Sequence, residues 1–315
     1  MAADDVESNH VIQTQPKKQN RASKGFHNFV ASYFYGGDNE ETADHAKRAR
    51  YLERATCKPN CSSEDGGPPY MTVAIIIVSF YFYFTVNLQG EPEDVHSRLV
   101  NSPYIFQPKK IISPIDFRRF FTYSFLHANW MHISGNMIML ALVGPLLEAV
   151  HDSGRPLVIY VIGTVLGAMF SAFAYPKLAL VGASGGCYAL VAAHISDLIV
   201  NADLMRKTNF LIKLVLLIPL FIASAGEVVS FYKFMVENEG KSGAVSFSAH
   251  TGGVITGVFL GMQVLRNYEP KRWEDLLRRV FFIVFQVIWC FLLWKTARCE
   301  ELVYSDVIEK ARVPK

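Results

Sequence analysis

The chain has 315 residues, 51% of them hydrophobic, with 31 Lys and Arg against 28 Asp and Glu. A net charge of +3 is too small to argue for a nucleic-acid partner, and the five scattered cysteines include no paired zinc spacing. The apolar residues fall in blocks, and a run of ~20 of them is what a helix needs to cross a hydrocarbon core of ~30 Å.

Residues 1–68 are polar and charged, without apolar periodicity, and close on a Gly-Gly-Pro-Pro boundary at Gly66 to Pro69. They read as a largely disordered cytosolic tail with a short helix around Glu41 to Arg54. The acidic start, Met1 to Asp5, argues against a secretory signal peptide and a mitochondrial presequence, so the first span would act as an uncleaved signal anchor. Within the tail, Cys57 and Cys61 read as free or lipidated thiols, and Asn60-Cys61-Ser62 is a glycosylation sequon that a cytosolic tail would leave unused.

The first predicted span, Pro69 to Leu88, carries no charge. A segment that fits neither a span nor a simple loop follows. There Tyr104-Ile105-Phe106 and Phe117-Arg118-Arg119-Phe120-Phe121 alternate aromatics with charge, the pattern of a chain lying in the membrane interface. The second span, Met131 to Val150, places His132 and Asn136 one turn apart on one face, with Glu148 near its end. His127, five residues before His132, is off that face and reads as support, and His151 reads as interfacial.

The third span, Pro156 to Tyr175, contains Gly163-x-x-x-Gly167, ordinary helix packing. The fourth, Ser184 to Val200, begins inside Gly182-Ala183-Ser184-Gly185-Gly186-Cys187-Tyr188, which puts Ser184 and Tyr188 on one face; Cys187 and His194 read as buried packing residues. The fifth, Phe210 to Phe231, holds Lys213 and Glu227. The sixth, Phe247 to Leu265, sets His250 on one face with Gly253, Gly257 and Gly261. A basic run from Arg266 to Arg279 reads as a membrane-surface anchor. The seventh span, Val280 to Trp294, is short, includes Cys290 as a small buried side chain, and needs Arg279 and Lys295 to snorkel. The expected architecture is an all-α membrane protein: tail 1–68, six-helix core 69–266, then 267–315 as linker, seventh helix and short C-terminal tail. The Lys and Arg distribution agrees weakly with a cytosolic N-terminus.

Polar groups at membrane depth are costly and usually functional. A serine hydroxyl becomes a nucleophile when a base takes its proton, and the base must lie ~2.6–3.2 Å away. The glycine face of the sixth span permits that approach between two helices. His250 would serve as base, and His132, Asn136 and the Ser184 N–H as donors to an oxyanion. No carboxylate lies near His250 in the sequence, so Tyr188 would hold the imidazole where an aspartate otherwise does. Gly182, Gly185 and Gly186 would keep backbone tight and substrate unobstructed around the nucleophile. Gly182-x-Ser184-x-Gly186 also matches the nucleophile elbow of α/β-hydrolases, but that motif needs a preceding strand and here apolar helices surround it. A transporter would show inverted repeats with broken helices, and a zinc protease an H-E-x-x-H; neither pattern is visible.

Three motifs in this order, His127-Ala128-Asn129-Trp130-Met131-His132-x-x-x-Asn136, Gly182-Ala183-Ser184-Gly185-Gly186-x-Tyr188-Ala189-Leu190 and Ala249-His250-x-x-Gly253-x-x-x-Gly257, resemble the rhomboid family of intramembrane serine proteases. The resemblance covers about Tyr51 to Arg266. With a seventh span at the C-terminus and Tyr51-Leu52-Glu53-Arg54 in the tail, it is similar to animal secretory-pathway rhomboids. It implies a rhomboid-like bundle, Ser184 as nucleophile, His250 as base, His132 and Asn136 as oxyanion donors, and His127, Gly182, Gly186, Tyr188, Gly253 and Gly257 in support. It further implies single-pass membrane proteins as substrates, growth-factor precursors among them, a substrate helix entering past the fifth span, and a site opening to the outside or lumen. The localisation would be the secretory pathway or plasma membrane, with no metal, cofactor or nucleic-acid partner. A catalytically silent client-binding relative is the alternative, although such relatives lack the serine or histidine present here.

Overall fold

A computed structural model describes residues 69–87, 95–108, 111, 113–176, 179–204, 210, 211, 213–215, 217, 218, 244–268 and 270–312. The described residues are helical, with one isolated antiparallel bridge between Phe106 and Leu180. In chain order the helices are α1 (Tyr70–Asn87), α2 (Val95–Asn101), α3 (Arg119–Thr122), α4 (Trp130–His151), α5 (Gly154–Ala174), α6 (Ser184–Asn201), α7 (Ala244–Ile255), α8 (Gly261–Val264) and α9 (Arg272–Arg312). Short 3-10 turns flank α3, and a π turn, Thr256–Leu260, joins α7 to α8. The tail with its expected helix, Tyr51-Leu52-Glu53-Arg54, Cys57, Cys61 and the Asn60 sequon lie outside the described residues, as do most of the fifth span and Glu227.

By length and composition, α4, α5 and the Arg272–Thr296 part of α9 can cross a membrane, while Tyr70–Val86 is a shorter apolar helix. The expected total of seven spans rests on the sequence. Helix α6 departs from simple hydropathy for a physical reason. It is buried around nearly its whole circumference, so small and polar side chains replace the apolar coat that lipid would demand.

Helices α5, α6 and α7 form the centre. Apolar burial drives little association between helices in lipid, so van der Waals packing of small residues must supply it. A side chain at Gly163 would come within 2.3 Å of Ala189, and one at Gly167 within 2.8 Å of the Ala249 carbonyl oxygen. Helix α9 runs longer than its apolar block and packs on the outside of this centre through Phe173–Phe291 and Phe259–Phe281 ring contacts. Its outer face, Ile283 and Val287 included, is exposed, and so is Cys290. That corrects the buried reading of Cys290: among the described residues, α9 has neighbours on one side only.

Glu148 explains how α1 joins the bundle. The first N–H groups of a helix lack intrahelical acceptors. At α1 the Glu148 carboxylate accepts from Met71 N–H (2.9 Å), Thr72 N–H (2.9 Å) and Thr72 Oγ1 (2.6 Å), and also from Ser153 Oγ (2.5 Å).

At the end of α6 away from Ser184, charged groups are buried. Asp197 Oδ1 accepts from His151 Nε2 (3.1 Å) and Asn201 Nδ2 (2.7 Å), and Oδ2 pairs with the Lys213 ammonium. His151 Nδ1 in turn accepts the Arg266 N–H at 3.1 Å. His151 is therefore a fully buried hydrogen-bonding residue, not an interfacial one, because Asp197 sits opposite it in the bundle. The start of the basic run is also tied to the bundle. Arg266 pairs with Asp152 and Lys271 with Asp203, while Tyr268 OH donates to the Val150 carbonyl at 2.6 Å.

Candidate active site

Asn129 starts the construction. It is extended (φ −158°, ψ 174°) and its side chain accepts the His132 N–H at 2.9 Å, the ordinary N-cap of a helix. The cap places His132 in the first turn of α4 and Asn136 one turn later, buried, with Cys187 Sγ donating to the Asn136 carbonyl. Among the described residues, the buried Asn136 amide Nδ2 makes no hydrogen bond to a protein group. A buried donor left unused is expensive, and functional sites are where such groups are retained.

The chain entering α6 is held by the interfacial segment. Leu180 N–H donates to the Phe106 carbonyl (2.8 Å), Gly182 N–H to the Tyr123 carbonyl (3.1 Å) and Ala183 N–H to His127 Nε2 (3.4 Å). Tyr123 is itself fixed, its hydroxyl donating to the Thr164 carbonyl at 2.9 Å, and burial pushes its phenol pKa upward. Arg119 binds Asp116 and the Ile105 carbonyl, which ties the segment together, and Ile115 and Phe117 stay exposed as an interfacial edge requires.

His127 is wholly buried. Its Nδ1 lies 3.3 Å from the Phe125 carbonyl and its ring meets His132 edge-on at 5.2 Å. With Nε2 accepting from Ala183, the imidazole is neutral with its proton on Nδ1. Burial, reinforced by neighbouring His132 and opposed by the Phe125 carbonyl, pushes its pKa down to about 3. It thus lies behind the serine loop.

Gly182 has φ +112°, a backbone state side chains rarely adopt. A side chain there would also lie 2.6 Å from His132 Cε1 and Nε2, and 3.7 Å from Asn136 Nδ2. Gly182 thus brings the loop flat against His132 and Asn136, two residues before Ser184. Ser184 opens α6 and is partly exposed. Its N–H and the next few belong to the first turn, where no intrahelical acceptor exists and the helix dipole favours negative charge.

His250, on α7, is nearly buried and stacks face to face on Tyr188, with ring centroids 4.0 Å apart and planes 7° from parallel. The backbones that carry them almost touch. A side chain at Gly185 would be 3.5 Å from the Ala249 carbonyl oxygen; one at Gly253 would be 2.2 Å from the Gly185 oxygen, and one at Gly257 2.2 Å from the Ala189 oxygen. The glycine face of the sixth span therefore meets α6, as the spacing implied. Gly186 has a different reason from substrate clearance. It faces α5, where a side chain would meet the Tyr160 ring at 2.5 Å.

Sequence periodicity missed the π turn after His250. Such a turn shifts the carbonyl register, and Ser196 Oγ donates to the Gly257 (3.1 Å) and Val258 (2.8 Å) carbonyls there. The Asn129 cap was missed as well, although an Asn just ahead of an apolar run is a helix-start signal. Among the described residues no cluster of His, Cys, Asp or Glu is placed to hold a metal. One end of the bundle thus gathers a hydroxyl at a helix N-terminus, a stacked imidazole, a second imidazole and an unused buried amide donor.

A family model described as Rhomboid domain matches residues 115–267. Human rhomboid-related protein 3 is 32% identical over 251 residues, 77% of this chain and 59% of that protein. Mouse rhomboid-related protein 2 is 30% identical over 249 residues, 76% of this chain and 78% of that protein. Inactive rhomboid-related protein 2 of Caenorhabditis elegans is 28% identical over 246 residues, 74% of this chain and 64% of that protein. With a rhomboid domain laid over this helical bundle and a relative matched across most of its length, the chain belongs to the rhomboid family.

Proposed function

We propose that the chain is an intramembrane serine endopeptidase that cuts single-pass membrane proteins in or near their membrane segment, using a Ser184–His250 dyad. The observation that carries the reading is the Tyr188–His250 stack, one turn from Ser184 at the N-terminus of α6. Stacking fixes the plane of the imidazole without a carboxylate. His250 takes the Ser184 proton as the hydroxyl attacks the scissile carbonyl, then returns it to the leaving amine. The developing oxyanion is met by His132, by Asn136 Nδ2 and by the Ser184 N–H. Each such donor is worth ~2.7–4 kcal/mol of barrier. No cofactor or metal takes part in these steps.

In this reading the N-terminus is cytosolic, the six-helix core 69–266 is followed by linker, seventh helix and tail at 267–315, and the site opens to the outside or lumen along the secretory route. Growth-factor precursors are candidate clients. The second reading, a silent client-binding factor, is favoured by one observation: a relative of similar identity is named inactive.

The test is co-expression with a panel of tagged single-pass proteins, scoring released fragments. Ser184→Ala and His250→Ala should each abolish release at unchanged protein level. Release that survives Ser184→Ala removes the protease reading, and capture of clients without cleavage by the wild type selects the second.

A further inference from the structure

The expected fifth span has a problem that its own sequence poses. From 210 to 218 it reads Phe-Leu-Ile-Lys-Leu-Val-Leu-Leu-Ile, an apolar run with one charge. Leu211, Leu214, Val215 and Ile218 are 41–60% exposed, whereas Lys213 and Leu217, one turn apart, are 1% and 3% exposed. The face turned to the bundle thus carries Phe210, Lys213 and Leu217. Apolar contacts between helices in lipid are weakly directional, so a Leu-rich face can slide by a turn at little cost. Lys213 cannot slide with it.

The Asp197 carboxylate that Lys213 meets is also held by other groups. Asp197 has its Oδ1 occupied by His151 and Asn201, leaving Oδ2 for the Lys213 ammonium. His151 is held from its other nitrogen by the Arg266 N–H, and Asn201 Nδ2 donates to the Arg266 carbonyl at 2.9 Å. Asp197 also lies on the helix that begins with Ser184. A slip of one turn, ~5.4 Å, would take the ammonium away from Asp197 Oδ2 and break a buried ion pair, which is strongly destabilising.

We propose that the Lys213–Asp197 pair sets the axial and rotational register of the described start of the fifth span, residues 210–218, against the serine helix, so that both residues are positioning residues for the site. A buried ion pair is a poor source of net stability, since apolar replacements of both partners are often neutral; its best-attested use is to specify register. The positional claim stands on burial and hydrogen bonding alone. Its catalytic consequence rests on the protease reading.

The experiment uses the full chain in detergent with single cysteines at 214, 215, 217 or 218, natural cysteines replaced, labelled by a maleimide. In the wild-type background, positions 214, 215 and 218 should label and 217 should stay protected. Lys213→Met or Asp197→Asn alone should lower the melting temperature. The double variant Asp197→Asn/Lys213→Met should recover the melting temperature, yet expose position 217 and slow client cleavage about 10²-fold, the scale of a misplacement near 1 Å. A double variant that keeps the wild-type labelling pattern overturns the proposal, as does a Lys213→Met single variant with unchanged melting temperature and labelling. If the wild type cleaves no client, the protease reading fails while the labelling still decides the register.

Discussion

The Tyr188 phenol and the His250 imidazole lie parallel at 4.0 Å, one on each of two helices whose backbones meet through Gly185, Gly253 and Gly257. The stack holds His250 by a flat face, so the imidazole can tilt little out of the plane it keeps parallel to Tyr188. In the protease reading, a ring at position 188 is expected to be needed for rate. Tyr188→Phe should cleave clients within a few-fold of wild type, and Tyr188→Ala should lose about 10²-fold in kcat through misplacement of the base. Equal rates for the two variants would separate the stack from catalysis.

Gly253 is required by distance. A methyl group there would sit 2.2 Å from the Gly185 carbonyl oxygen, and backbone cannot yield as a flexible side chain can. Gly253→Ala should push α7 from α6, lower stability by about 1–3 kcal/mol, and abolish cleavage. Thermal unfolding in detergent measures the first effect and client cleavage the second. Gly135, with nothing within 4 Å of an added methyl, is the control; Gly135→Ala should leave both unchanged.

Asn136 is expected to act on the transition state alone. Its amide donor bonds no protein group among the described residues, so Asn136→Ala removes no bond between that atom and one of them. Cleavage should fall by ~10²–10³ in kcat with KM nearly unchanged, and the melting temperature should hold. A fall confined to KM would assign Asn136 to client binding.

Acid should loosen the serine loop through His127. The folded protein holds this imidazole neutral, with a pKa of about 3 against 6.5 when unfolded. The unfolded chain thus binds the extra proton first, and stability present above pH 6.5 is lost as pH falls toward 3, by up to about 1.4 kcal/mol per pH unit. Between pH 6.5 and 5, His127→Gln should show a shallower decline in melting temperature than the wild type. Gln keeps one donor for Phe125 and one acceptor for Ala183 but does not titrate. Parallel declines would remove His127 as the cause.

The helical class, the membrane setting and the candidate residues were readable because each is a short-range property. Apolar runs announce α4 and α5, the spacing of His132 and Asn136 puts both on one face, and the Gly253–Gly257 interval marks a face for close approach. Periodicity carries such information because a helix repeats every ~3.6 residues whatever surrounds it. The family resemblance rested on these same positions, and the match to the rhomboid domain agrees with it.

What distant segments do to one another had no such signature. Neither His151 nor Lys213 announces that Asp197 lies between them, and Gly186 looked like room for substrate until Tyr160 was found against it. The π turn after His250 is likewise invisible to a regular period, and the Ser196 hydroxyl that serves its carbonyls comes from another helix. The amino-acid order by itself determined which faces are apolar, small or polar, since that follows from residue type and helical repeat. Only the tertiary structure decided which polar group meets which. A buried charge or donor takes its role from the partner that packing brings to it, and packing depends on the whole bundle at once.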